Sequence, residues 1–226
     1  MAGPEGTGFW ETAEAVERFA ARDPDVRLMG LLNRYPVPGD VRVLDLGCAA
    51  GRNTAVLAGR GFDVFAVDGS EAMVARTRER VGELLGPEEA ERRVLHGAMD
   101  DLERFEDGSV ALVVALGILH QAGSGREWKR TIEEIGRVLE PGGLLLVAAW
   151  SPRSRPDGRP LVEVAGEDHL YEGFHSGLHY LVDRGLLDRA MASAGLRVVE
   201  PTEEVEVETE TGSRVTVNGL YQKSGS

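Results

Sequence analysis

The run Val43-Leu44-Asp45-Leu46-Gly47-Cys48-Ala49-Ala50-Gly51-Arg52-Asn53-Thr54, answered by Asp68 at the end of the next apolar run, constrains this chain more than any other segment. Val41 to Leu46 is short, rich in Val and Leu and stops at glycine, the pattern of a parallel strand covered on both faces. Gly47 and Gly51 let the backbone turn sharply and approach a ligand with no Cβ in the way. A helix predicted from Arg52 to Arg60 then points its free N–H groups at whatever occupies the turn. The second strand, Phe62 to Val67, delivers Asp68 beside the same turn, where a carboxylate can accept from both hydroxyls of a ribose. The layout is that of a nucleoside site in an open α/β sheet.

Departures from better-known patterns narrow the nucleoside. A dinucleotide fingerprint needs Gly-x-Gly-x-x-Gly, and counting from Gly47 the second and third positions hold Ala49 and Arg52. No Gly-Lys-Ser or Gly-Lys-Thr is present, so the phosphate-cradling P-loop is excluded. The run that remains resembles motif I of the class I S-adenosylmethionine-dependent methyltransferases, Asp-x-Gly-x-Gly-x-Gly, with Asp45, Gly47 and Gly51 in place and Ala49 at the middle glycine.

That resemblance continues over roughly residues 40 to 150. Asp68-Gly69-Ser70 is similar to the family's ribose-binding acid followed by a helix cap, with Met73 one turn into the helix. His96-Gly97-Ala98-Met99-Asp100 resembles the segment after the third strand, where the family sets an acidic side chain against the adenine amino group. Leu116 ends the fourth strand, predicted from Ser109, and Gly117-Ile118-Leu119-His120 follows where the family's reactive methyl lies. Pro141-Gly142-Gly143 before the fifth strand is a frequent companion.

The resemblance implies a Rossmann-like, doubly wound seven-stranded α/β sheet, mostly parallel, with an antiparallel strand from a C-terminal hairpin. It implies S-adenosyl-L-methionine as donor, S-adenosyl-L-homocysteine as product, and a donor site of Asp45, Gly47, Cys48, Ala49, Gly51, Asn53, Asp68, Gly69, Met73, Ala98, Met99, Asp100 and Leu116. His120 is the first candidate for a general base, with Tyr171 and His175 as further candidates. The run Gly51-Arg52-Asn53-Thr54 also resembles small-molecule relatives such as the tellurite-resistance group.

One domain is expected over 1–226. Residues 1–40 form a helical cap, 41–150 the donor-binding core, 151–180 a substrate lid and 181–222 a C-terminal helix and hairpin. In the cap, Ala13, Val16, Phe19 and Ala20 mark one helix over about Thr12 to Leu32, and Trp10 or Tyr35 covers the pocket or packs the helix. Pro87 to Glu91 reads as an acidic surface connection. Ser151 to Pro160, rich in Arg, Pro and Gly, reads as a mobile excursion from the carboxyl edge of a strand, where ligands bind. The following segment to Tyr180 holds three of the five histidines.

Leu181 to Ala194 reads as a helix, and Leu196 to Val207 with Arg214 to Tyr221 as a hairpin. In its first strand Val205 and Val207 alternate with glutamates, the pattern of one wet face.

Composition sets outer limits. With 226 residues and 42% hydrophobic content the chain suits one α/β domain with a real core. A net charge of −13 disfavours nucleic acid, whose binders neutralise phosphates with Lys and Arg. The single cysteine, Cys48, reads as a packing residue in a reducing compartment. No apolar run approaches the roughly 20 residues that span a bilayer, and the start lacks a signal pattern, so no membrane and a cytoplasmic setting are expected.

His175 and His179 share the i, i+4 spacing of helical metal ligands, but Gly173 and Gly177 oppose a helix there and no metal is expected. Leu116-Gly117-Ile118-Leu119-His120 lacks the Pro-Pro-Tyr-like run of amine methylation on adenine or glutamine. Cys48, within the donor turn, cannot serve cytosine C5 chemistry. The expected acceptor is therefore an oxygen, nitrogen or sulfur nucleophile of a small molecule, with a protein or RNA methyltransferase and a non-catalytic donor-binding regulator as the other readings.

Overall fold

The structure, a computed structural model, describes residues 7–174 and 177–225. Three short helices lead into the sheet: α1 (Thr7–Trp10), α2 (Ala13–Ala20) and α3 (Val26–Leu31). The single helix expected over Thr12 to Leu32 is broken, because Pro24 has no N–H to give an advancing helix and Asp25 restarts the chain as an N-cap. The Asp25 carboxylate accepts from the N–H groups of Arg27 and Leu28.

The core then alternates strand and helix: β1 (Arg42–Leu46), α4 (Arg52–Gly59), β2 (Asp63–Asp68), α5 (Glu71–Leu85), α6 (Pro87–Arg93), β3 (Val94–His96), β4 (Val110–Leu116), α7 (Gly125–Val138) and β5 (Leu139–Trp150). α6 replaces the acidic connection expected at Pro87 to Glu91. Pro87 opens it, Glu88 and Glu89 occupy its first turn and Arg92 and Arg93 its last, so its charges follow the helix dipole. An insertion follows with β6 (Val162–Glu163), β7 (Leu170–Phe174) and β8 (Gly177–Tyr180), and the chain closes with α8 (Arg184–Ser193), β9 (Leu196–Glu208) and β10 (Ser213–Lys223).

Seven strands form one sheet in the order β3-β2-β1-β4-β5-β10-β9, with β10 antiparallel to both neighbours and the other pairs parallel. β1 pairs with β2 on one side and β4 on the other, so the direction of winding reverses beside it. A crevice opens at such a point on the carboxyl edge. The central strands are mostly apolar because both faces are covered, with Asp45 of β1 as the buried exception. Leu44, Leu46, Val113, Leu145 and Val147 pack toward Ile132 and Ile135 of α7, while Val43, Val64, Leu112, Val114 and Leu146 pack toward Leu28 of α3 and Leu57 of α4.

Two expectations for the C-terminal third change. Ser151 to Arg155 is stitched to β10 rather than free: the Ser151 N–H donates to Val215 O at 2.9 Å, Arg155 and Ser213 exchange main-chain bonds, and Ser154 is 1% exposed. Proline and glycine marked an irregular path, but buried Ser151 and Ser154 supply hydroxyls that tie it down. β9 is wet on both faces over its second half, because it is an edge strand. Val205 and Val207 are exposed along with Glu206 and Glu208. No helix among the described residues is long and apolar enough to cross a membrane.

Candidate active site

The turn after β1 is held by the end of β2. The N–H groups of Gly47 and Cys48 both donate to Val67 O, at 2.8 and 3.2 Å. The Ala49 N–H donates to Asp68 Oδ2 at 2.8 Å and the Ser70 N–H to Asp68 Oδ1 at 2.9 Å. Each Asp68 oxygen therefore spends one lone pair on the main chain and has further acceptor capacity beyond it. Burial raises the Asp68 pKa from its usual value, and the two main-chain bonds work against that rise.

Two glycines are required by space as well as by backbone. Gly47 has φ +74°, and a Cβ there would lie 2.6 Å from Cβ of Ile118. Gly51 has φ +77°, and a Cβ would lie 2.8 Å from Oγ1 of Thr77. Ala49, at the motif's middle glycine, sits at φ 47° despite its methyl, and its carbonyl accepts from Thr77 Oγ1 at 2.6 Å.

The remaining donor-site candidates divide by surroundings. Asp45 is 2% exposed, accepts from Thr54 Oγ1 at 2.6 Å and has its pKa raised by burial to about 6. Cys48 is buried against Thr77, and burial together with the charges of Asp68 and Asp45 pushes its thiol well above the usual range. Asn53 uses Oδ1 to accept from the Asp25 N–H at 3.0 Å, tying α4 to the start of α3.

Met73 is fully buried with Ala15, Ala20 and Ala50 beneath the N-terminal helices. Gly69 and Ala98 are exposed, Met99 is buried, and Asp100 lies 3.8 Å from the guanidinium of Arg130. Leu116 is partly open at the end of β4. Trp10 packs with Phe9 and Phe19 against the cluster that holds Met73 and Ala50, and its carbonyl accepts from Ser70 Oγ at 3.1 Å, whereas Tyr35 packs edge-on against Phe62 in the α3–α4 cluster.

A second group gathers beyond the ends of β4 and β5. The 3₁₀ turn Leu119–Gln121 buries His120 to 2% exposure, with its ring stacked on Trp150, centroids 4.1 Å apart and planes 12° apart. His179 donates from Nδ1 to His120 O at 3.0 Å, and Phe174 packs on Trp150 at 4.6 Å. The small sheet therefore caps the ends of β4 and β5. Burial, then the charges of His179 and Arg214, hold the His120 pKa well below 6.5, so its ring is neutral.

His120 Nδ1 is buried with no hydrogen-bond partner among the described residues, as are Gln121 Nε2 and Trp128 Nε1 nearby in sequence. Buried polar atoms of this kind call for a ligand or water. Tyr171 pairs in register with Glu163 and His179, and burial and the Glu163 charge raise its phenol. His175 lies outside the described residues, and His179 sits in a strand rather than on a helix.

Several residues of the site went unnoticed in the sequence. Ile118 fills the space that Gly47 leaves, Thr77 fills that of Gly51, and the Glu11 carboxylate accepts from the Glu71 and Ala72 N–H groups at 3.1 Å each, closing α1–α2 onto α5. The bare glycines signalled that something approaches closely. They did not say what. Two surface depressions of about 320 Å³ lie elsewhere, one bordered by Arg42, Phe65 and Arg104 and one between α2 and α5. Neither is lined by the glycine turn, Asp68 or His120.

Comparison with known proteins points the same way. Residues 43–143 match the family described as a methyltransferase domain. Over 178 residues the chain is 33% identical to demethylmenaquinone methyltransferase of Clavibacter sepedonicus, spanning 73% of this chain and 69% of that one. It is 31% identical over 141 residues to trans-aconitate 2-methyltransferase of Variovorax paradoxus, spanning 61% of this chain and 49% of the relative, about half its length. The fold is similar to that of 1,6-didemethyltoxoflavin-N1-methyltransferase of Burkholderia thailandensis, solved with S-adenosylhomocysteine, at a TM-score of 0.62 and 21% identity over 94% of this chain and 80% of that one.

Proposed function

The chain belongs to the class I S-adenosylmethionine-dependent methyltransferases, and from that premise we propose that it methylates an oxygen, nitrogen or sulfur nucleophile of a small molecule by in-line displacement. The observation that carries the reading is the placement of Asp68. Its carboxylate is clasped by the glycine turn it faces, with a lone pair left on each oxygen, and the His120–Trp150 stack stands beyond the neighbouring strand ends.

The residues present suit the donor. Asp68 is an acceptor-rich carboxylate for vicinal hydroxyls, and Gly47 and Gly51 leave the turn bare. Ala98, Met99 and Asp100 offer a partly open wall for an adenine, and Leu116 an apolar strand end. S-adenosylmethionine supplies a sulfonium methyl that is already electrophilic, so the protein's work is positioning and exclusion of water. Trp150 and Phe174 give the acceptor end an apolar wall. His120, neutral and with an unpartnered Nδ1, is the group placed to take a proton from an acceptor that must lose one. The insertion over 151–180 acts as the acceptor's cover, and nucleic acid is no partner of so acidic a chain. Relatives whose names specify aconitate and demethylmenaquinone support a small acceptor.

Methyl-labelled donor, incubated separately with a small-molecule extract and with protein and RNA fractions, tests this. Label in the low-mass fraction is expected. Label confined to macromolecules would replace the small acceptor with a large one, and donor binding without product across a broad nucleophile panel would make the protein a regulator.

A further inference from the structure

The end of β8 is wedged between two walls. Successive side chains of a strand point to opposite faces, yet His179 is 0% exposed and Tyr180 7%. Tyr180 stacks on Trp128 of α7, centroids 4.9 Å apart, and two residues later the Val182 N–H donates to Trp150 O at 3.1 Å. On the other face the His179 ring lies 5.1 Å from Trp150, 4.9 Å from Phe174, edge-on, and 5.5 Å from His120.

A polar ring among such neighbours is worse than an apolar one unless its N–H is used. His179 uses Nδ1–H on the main-chain carbonyl of His120, at 3.0 Å. That carbonyl has no donor from its own turn. The turn bonds run from Gln121 N–H to Ile118 O at 2.8 Å and from Ala122 N–H to Leu119 O at 3.4 Å. Gly123 N–H would continue the series to His120 O, but it donates to Glu127 Oε2 at 2.8 Å instead. His179 therefore supplies the donor that the turn lacks. Burial lowers its pKa to about 4, so near neutral pH the ring is uncharged, and the carbonyl it faces keeps the proton on Nδ1.

We infer that His179 is a positioning residue for His120: its hydrogen bond fixes the turn, and so the seat of the His120 imidazole on Trp150, from the closing strand of the acceptor's cover. This rests on the proton-accepting role of His120 given above. Trp150 is held from the same segment through Val182, so both rings of the stack take their placement from the end of β8. A base seated in this way keeps its reach to the acceptor without rearranging during turnover.

The first test compares initial rates of methyl-label incorporation into the low-mass extract at saturating donor. His179→Phe, which keeps a ring but no donor, should lower the rate by about tenfold, within the roughly 10²-fold that a misplacement of about 1 Å costs. His179→Asn, whose side-chain amide can donate from nearly the same place, should recover most of that loss. The KM for S-adenosylmethionine and the affinity for S-adenosylhomocysteine should stay within about twofold in both, since His179 does not touch the donor turn. In a His120→Ala background, His179→Phe should cost nothing further.

A His179→Phe rate equal to the parent's, an equal loss in His179→Asn and His179→Phe, or a full additional loss in the His120→Ala background would overturn the inference, the last two by making His179 a packing residue. An unaltered rate in His120→Ala alone would remove the proton-accepting reading and the inference with it. A low rate there beside a normal one in His179→Phe would remove the inference only.

Proton–nitrogen spectra of the protein carrying isotope-labelled histidine give a readout that needs no acceptor. His179 should be protonated on Nδ1, and the ring nitrogens of His120 should shift in His179→Phe and return toward the parent positions in His179→Asn. His120 signals that ignore His179→Phe would contradict the inference even where no fraction of the extract takes label.

Discussion

The imidazole of His120 lies flat on the indole of Trp150, 4.1 Å between centroids, with one ring nitrogen buried and unpartnered. A ring so placed is expensive to charge. It also stands where the acceptor is expected, so its protonation state bears on stability and on turnover.

For stability the sign follows from the direction of the shift. The folded pKa of His120 is well below 6.5, and that of His179 is lowered to about 4, mainly by burial. The unfolded chain therefore takes up protons first as pH falls, and the contribution of both rings is present above about 6.5 and lost progressively below it. Denaturant midpoints of the parent protein should drop between pH 7 and 5, and His120→Phe should flatten that drop. An unchanged slope in the variant would remove His120 as its source.

For turnover, His120→Ala should lower kcat by about 10²- to 10⁴-fold if the acceptor must lose a proton, with the KM for S-adenosylmethionine little changed. The parent rate should show no acidic limb near 6.5, because the ring is already neutral there. Unaltered kcat would make the imidazole a packing surface for Trp150.

Gly47 should tolerate no side chain. Alanine there would meet Ile118 Cβ at 2.6 Å and adopt φ +74°. Overpacking costs about 1–3 kcal/mol and the left-handed backbone about 1–2 kcal/mol. Gly47→Ala should lose stability by the sum, and the added change Ile118→Gly, which removes the Cβ itself, should relieve the clash but not the backbone strain at position 47. Chemical denaturation of the four proteins of this cycle checks it. Full recovery in the double variant would mean that backbone geometry contributes nothing.

Asp45 carries the opposite pH signature. Its pKa rises from 3.8 to about 6 in the fold because burial penalises the anion. The folded form keeps its proton longer than the unfolded one, so stability declines as pH rises across that window, by on the order of 3 kcal/mol, and levels off above it. Asp45→Asn keeps an acceptor for the Thr54 hydroxyl, and its stability relative to the parent should grow between pH 4 and 6 and then stay constant. A difference that does not vary with pH would contradict the assignment.

What could be read from the chain was mostly local. β1, the glycine turn, Asp68 and the Ser70 cap are spelled out within thirty residues, and the hairpin of β9 and β10 announces itself at Thr211-Gly212-Ser213. The break at Pro24 is equally local: the apolar spacing of Ala13 to Ala20 marks α2, and the proline separates it from α3.

Long-range packing was not legible. Ile118 and Thr77 reach the turn from 71 and 26 positions beyond Gly47 and Gly51, and nothing in their own neighbourhoods says so. The stitching of Ser151 to Arg155 onto β10 exists only because β10 inserts between β5 and β9.

Titration calorimetry with S-adenosylmethionine, on the parent protein and on Asp68→Ala, tests the account at its root. One saturable site in the parent is expected, with affinity lower by about 10- to 100-fold in the variant, the worth of hydrogen bonds to a charged group. NADH should show no saturation. Tight NADH binding with no response to S-adenosylmethionine, or equal donor affinity in Asp68→Ala, would contradict it.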